Sequence, residues 1–224
     1  MASAGLKTAF GHLHDLFGVG TATGVEDGQL LARYSAAKDA VAFEALVARH
    51  GPMVLATCRA VLKSEHDVED AFQTTFLVLA RKADSIRAGD TLGGWLHRVA
   101  YRAAVQAGVE AKKRRRKEAE ALAMAPCNTS GPSVESDHDV RPVLHEEINR
   151  LPKSQRLPVV LCDLQGMTYN QAADQLRWSV PTLRCRLARG RQRLKVRLLR
   201  RGFAAPALGA ALVAGEARAS VPAV

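Results

Sequence analysis

Fifteen of the 32 Lys and Arg residues in this 224-residue chain stand in two acid-free runs: six in Lys112 to Lys117 and nine in Arg184 to Arg201. Such runs act by electrostatics rather than by covalent chemistry. They neutralise phosphates along a nucleic acid, or else serve as solvated helix faces or a site for acidic lipid. Outside the two runs 17 basic residues meet 22 acidic ones, so the whole net charge of +10 comes from these strips. A second cluster has the opposite sign, with Glu65, Asp67, Glu69 and Asp70 bunched together. Carboxylates favour the positive end of a helix dipole, which is a structural reason for them; a docking face for a basic partner is the functional one.

Signatures of covalent or metal chemistry are missing. No H-E-x-x-H, G-x-x-x-x-G-K-[ST], G-x-S-x-G or strand-linked G-x-G-x-x-G occurs. His12-x-His14-Asp15 comes nearest to a metal cluster, but with no fourth ligand close by it reads as a pair of surface histidines. Catalytic residues, metal ligands and cofactors are therefore not expected. Cys58, Cys127, Cys162 and Cys185 form no C-x-x-C pair, as expected of a reducing, cytoplasmic protein. The N-terminus lacks a signal pattern, and the most apolar tail, Phe203 to Gly215, is too short to span a bilayer.

The elements that must carry these strips are helical. At 47% hydrophobic and 24% charged the chain is globular, and its length suits two compact units better than one large barrel. Apolar residues recur at helical spacing from Gln29 to Ala48, and His50-Gly51-Pro52 predicts a stop and restart. A helix from Pro52 to Leu62 follows. Asp67 to Lys82 places Val68, Ala71, Phe72, Thr75, Phe76 and Leu79 on one stripe. A polar loop from Ala83 to Gly94 precedes a helix with Trp95, Leu96, Val99 and Ala100 that runs into the first basic strip. Residues 119 to 142 read as a linker, and helical periodicity returns from Val143. No alternation long enough for a sheet appears, so the fold class is all-α.

Near the C-terminus the pattern becomes a helix-turn-helix. Thr168 to Gln171 has capping-box form ahead of Ala172, Ala173 and Leu176, a turn falls at Arg177-Trp178, and Ser179 caps a long basic helix starting at Val180-Pro181. At ~100° per residue Leu183, Leu187, Leu194 and Leu198 share one seam. Arg184, Cys185, Ala188, Arg189 and Gln192 then face away from it, towards a major groove, with Arg186, Arg191 and Arg193 flanking. Flanking arginines suit phosphates; Arg184 and Arg189 suit base edges.

The two halves together resemble a sigma factor of bacterial RNA polymerase, in the extracytoplasmic-function (ECF) group that keeps regions 2 and 4. The resemblance rests on AFEALVARHGPMVLATCRAVL, HDVEDAFQTTFLVLARKADSIR and LGGWLHRVAYRAA in the first half, and on INRLPKSQRLPVVLCDLQGMTYNQAADQL and TLRCRLARGRQRLKVRL in the second. The wording is also planctomycete-like.

The resemblance implies two small helical domains: a region 2 bundle over residues 29–118 and a region 4 helix-turn-helix over 143–202. An N-terminal arm (1–28), the linker 119–142 and an Ala-rich tail (203–224) complete the chain. It implies that Asp67, Glu69, Asp70, Gln73 and Phe76 meet the β′ clamp helices of core RNA polymerase, with the β flap as a further polymerase contact. The loop from Arg81 to Gly94, including Ser85, would capture a flipped minus-10 base, while Trp95, Arg98, Tyr101 and Arg102 lie beside minus-10 DNA; Trp95 also reads as a core anchor. Lys112, Lys113 and Arg114 would follow the upstream phosphates, and Thr182, Arg184, Cys185, Arg186 and Arg189 would bind the minus-35 element, with Arg184, Cys185 and Arg189 in its major groove. Promoter DNA and an anti-sigma factor complete the implied partners. A stand-alone helix-turn-helix regulator of duplex DNA is the alternative. Arg177 and Pro181 stand where the family often has glycine in the turn, and Cys185 where a serine is common.

Overall fold

The computed structural model describes residues 25–86, 91–123 and 139–203. Their elements are helical throughout: α1 (Asp27–Ala37), α2 (Ala40–Val61), α3 (Glu65–Lys82), α4 (Leu92–Ala123), α5 (Val140–Asn149), α6 (Lys153–Val159), α7 (Tyr169–Leu176) and α8 (Val180–Arg200). A 3-10 turn at Ala83–Ser85 follows α3, and a wider π-type turn at Val160–Leu164 continues α6. His12, His14, Cys127 and the C-terminal tail from residue 204 lie outside the described residues.

Two apolar cores divide these helices. The first joins α1 to α4 through residues such as Leu30, Leu46, Val54, Val68, Leu79 and Leu96; the second joins α5 to α8 through Leu144, Ile148, Val159, Leu161 and the α8 leucines. The predicted stripe of α3 is buried in full. Ser64 caps its start by accepting from the Asp67 amide at 3.5 Å, and the Thr75 hydroxyl is satisfied by donating to the Ala71 carbonyl.

The stop predicted at His50-Gly51-Pro52 does not occur. Helix α2 runs straight through, and the break lies earlier, where Lys38 adopts φ 52° and Asp39 accepts from the amides of Val41 and Ala42. Proline removes a bond to the carbonyl four residues back. Here Pro52 and Ala48 lie on the exposed side of the helix, where a carbonyl without its helical partner is open to solvent. Buried Leu46, Met53 and Val54 hold a single axis across the site.

Two helices reach into the stretch read as a linker. Helix α4 continues to Ala123, past residue 118, and α5 starts at Val140, capped by Asp139, which accepts from the Arg141 amide at 3.0 Å. Lys, Arg, Glu and Ala are good helix formers, and Arg116 pairs with Glu120 one turn on at 2.9 Å, so the strip propagates the helix.

The lobes meet along a polar seam. Asp27 Oδ2 accepts from Gln175, Gln165 lies 3.0 Å from His50 Nδ1, and His97 Nε2 lies 3.0 Å from His145 Nδ1. Gly94 allows α4 to approach: a β-carbon there would collide with Leu157 of α6.

Candidate nucleic-acid interface

The helix-turn-helix is built by its caps. Thr168 Oγ1 accepts from the Gln171 amide at 3.3 Å while Gln171 Oε1 accepts from the Thr168 amide at 3.0 Å, closing the capping box read from the sequence. Arg177 ends α7 in the left-handed region at φ 53°. Ser179 then accepts from the Thr182 amide at 3.4 Å and starts α8. Leu183, Leu187, Leu194 and Leu198 are buried, so the seam points inward. Arg184, Cys185, Ala188, Arg189 and Gln192 are all exposed, and Thr182 and Arg186 are half-buried beside them. Arg189, Gln192, Arg193, Arg197 and Arg200 line an open groove along the helix.

One flanking arginine is not free for phosphate. Arg191 forms an ion pair with the buried Asp163 of the π-type turn, and this bond raises its already high pKa further. Its position on the helix alone predicts a place at the edge of the groove. A buried carboxylate needs a charged partner, and Arg191 is in reach. Arg197 and Arg201 are likewise drawn inward, at 3.0 and 2.8 Å from the buried Glu147 of α5. Two others are held by rings: the Arg186 guanidinium lies 4.1 Å from the centre of Trp178, and that of Arg184 5.8 Å from the centre of Tyr169.

In the first lobe Arg98 and Arg102 are exposed along α4, ahead of the exposed Lys112, Lys113 and Arg114; Arg114 leans back to Asp67 at 3.4 Å. Trp95 is half-buried against the core. Tyr101 is half-buried towards the second lobe, where desolvation and Glu146 push its phenol pKa up. Arg81 and Ser85 are exposed where α3 ends, and Ser85 donates to the Lys82 carbonyl. Residues 87–90 of the expected base-capture loop lie outside the described residues.

Helix α3 divides the expected docking set by exposure. Asp70 and Gln73 are exposed and Glu69 is half-exposed, but Asp67 and Phe76 are buried within their own lobe. Phe76 packs edge-on against Phe43 and at 5.0 Å against Phe72, so it serves the core. Asp67 sits in the first turn, where the helix dipole and Arg114 compensate its charge.

Sequence reasoning missed Tyr169, Trp178, Glu147, Asp163 and the seam histidines. Glu147 and Asp163 stand beside apolar residues in the chain, a weak signal of burial; the histidine pair, 48 positions apart, carried none.

Residues 46–117 match the Sigma-70 region 2 family model, and residues 142–194 match that of Sigma-70 region 4. Over 170 residues the chain is 31% identical to the ECF RNA polymerase sigma factor SigM of Mycobacterium tuberculosis, covering 75% of this chain and 82% of that protein. The chain belongs to the ECF sigma factors. It is also 31% identical over 156 residues to ECF sigma factor SigE of Mycolicibacterium smegmatis, spanning 60% of that relative's length and 68% of its own. The solved structure of CnrH in complex with the cytosolic domain of CnrY is 25% identical, with a TM-score of 0.38 over 77% of this chain and 96% of that one. Region 2 of this sigma factor thus coincides with the lobe bearing the acidic helix, and region 4 with the lobe bearing α8. No helix among its described residues is long and apolar enough to cross a membrane.

Proposed function

We propose that this sigma factor binds core RNA polymerase and directs promoter recognition, DNA melting and transcription initiation, without catalytic activity of its own. The observation that carries this reading is a leucine-backed helix α8 with Arg184 and Arg189 turned outward, in the same chain as α3 with Asp70 and Gln73 exposed. A charged helix presented to solvent suits a partner of complementary charge, here the β′ clamp helices, with the β flap a second polymerase contact. Residues 29–118 form the polymerase and minus-10 domain, 143–202 the minus-35 domain, and 119–142 the connection between them.

Roles divide by geometry. Glu69, Asp70 and Gln73 dock on polymerase. Arg81, Ser85, Trp95, Arg98, Tyr101 and Arg102 approach the minus-10 element, where melting requires an unstacked base to be held in a pocket. Lys112, Lys113 and Arg114 follow phosphates, while Thr182, Arg184, Cys185 and Arg189 enter the minus-35 groove, with Arg186 at its edge. The site of action is the cytoplasm, with the polymerase and chromosome, and an anti-sigma factor is the proposed regulator.

Pull-down with core polymerase and a run-off transcription assay test this. The chain should retain core, and Asp70→Ala with Gln73→Ala should weaken retention about tenfold, a loss of ~1.4 kcal/mol. Failure to bind core, or indifference to both substitutions, refutes it. Strong duplex binding without polymerase would favour a stand-alone regulator, a reading that leaves the region 2 lobe without a purpose.

A further inference from the structure

The rings beneath Arg184 and Arg186 belong to the preceding helix and turn, not to α8 itself. Trp178 is fixed on both sides: its amide donates to the Ala173 carbonyl at 2.9 Å, and the next residue, Ser179, caps α8. Its indole is half-buried against the second core, so one side packs inward while Arg186 stacks on the ring. Arg186 lies about 60° from the leucine seam, the sector that borders a groove rather than entering it. Unlike Arg191, Arg197 and Arg201, it makes no ion pair among the described residues. A guanidinium stacked on a ring keeps its N–H donors in their own plane, free to meet a phosphate. Held there, it has less rotamer freedom to lose on binding.

We propose that Trp178 is a positioning residue for promoter recognition, its indole holding the Arg186 guanidinium in place to clamp a backbone phosphate at the edge of the groove that α8 enters. The proposal rests on the reading of α8 as the minus-35 helix. Its occupant is the sugar-phosphate backbone, so the effect is independent of base sequence at that position.

The test uses the full-length chain assembled with core polymerase. The probe is the duplex recovered by selecting that assembly from a pool randomised in the upstream element, with affinity followed from about 50 to 200 mM salt. Arg186→Ala should flatten the plot of log K against log salt by about 0.9, the value for one neutralised phosphate. Trp178→Leu should weaken binding about threefold, the scale of one exposed cation–ring contact, and Trp178→Phe should restore most of it. The deciding measurement is the double variant: Trp178→Leu should add nothing once Arg186 is alanine. An equal loss in both backgrounds, a Phe variant as weak as Leu, or tighter binding by Trp178→Leu overturns the proposal. Should Trp178→Leu fail to fold by thermal melting, Trp178→Met takes its place in the same cycle. If instead Arg184→Ala and Arg186→Ala both leave binding unchanged, the reading of α8 itself fails, a result distinct from failure of the Trp178 cycle alone.

Discussion

His97 of region 2 and His145 of region 4 stack across the seam between the lobes, with ring centres 5.3 Å apart and Nε2 of the first 3.0 Å from Nδ1 of the second. Both are buried, and His97 Nδ1 meets no protein partner among the described residues. Burial pushes the His145 pKa down to about 4, and burial with the neighbouring His145 and Arg156 holds His97 well below its ordinary value. The contact therefore needs both rings neutral, one donating and the other accepting.

A base whose folded pKa is depressed binds protons more readily when exposed, so its contribution is complete above pH ~6.5 and is lost as pH falls towards 4. For His145 alone the loss at pH 5 is about 2 kcal/mol. Denaturant unfolding at pH 7.5 and 5.0 should show the decrease, and His145→Gln should shrink it. Equal stability of the native protein at both values would mean that the rings are solvated. The same protons favour any state in which the lobes part and the histidines reach water.

Glu147 ties α5 to the end of α8 by accepting from Arg150, Arg197 and Arg201 at 3.1, 3.0 and 2.8 Å. Its carboxylate is buried, but the arginines reach solvent, so removal costs less than the full penalty of breaking a buried pair. Glu147→Gln should destabilise region 4 by about 2 kcal/mol, read as a lower denaturant midpoint at unchanged slope.

Arg177 holds φ 53° and ψ 43° at the end of α7, where its β-carbon is crowded by the backbone, and its side chain is exposed. Arg177→Gly relieves that crowding but gains unfolded-state freedom. The net expectation is a stabilisation of about 0.5 kcal/mol, visible as a small rise in the thermal midpoint. A fall would mean that the exposed side chain contributes packing of its own.

Arg184 and the Lys112 to Lys117 strip should separate in binding assays. Arg184→Ala should relax preference at one base position by about 1 to 3 kcal/mol. Neutralising the strip should weaken binding to all sequences and flatten the salt slope by about 0.9 for each phosphate it no longer neutralises. Competition against mismatched duplexes over a salt series distinguishes the two, and identical behaviour would refute the division into base readers and phosphate clamps.

The sequence by itself determined what local periodicity and capping encode. The all-α class, the α3 stripe, the Thr168–Gln171 capping box and the outward face of α8 follow from side-chain spacing along one helix, which the backbone repeat fixes without reference to the rest of the chain. Tertiary structure decided the features that depend on distant partners. Pro52 sits inside a helix because the flanking residues pack on one core, a long-range gain that outweighs a local propensity. Phe76 and Asp67 face inward, and Arg191 turns to Asp163, because an apolar ring or a buried carboxylate is satisfied by whatever the fold brings near it. Burial and electrostatic pairing act through space, so the His97–His145 seam exists only once both lobes are assembled, and the division of the α8 arginines into internal ties and outward donors only once α5 and the π-type turn pack beside α8.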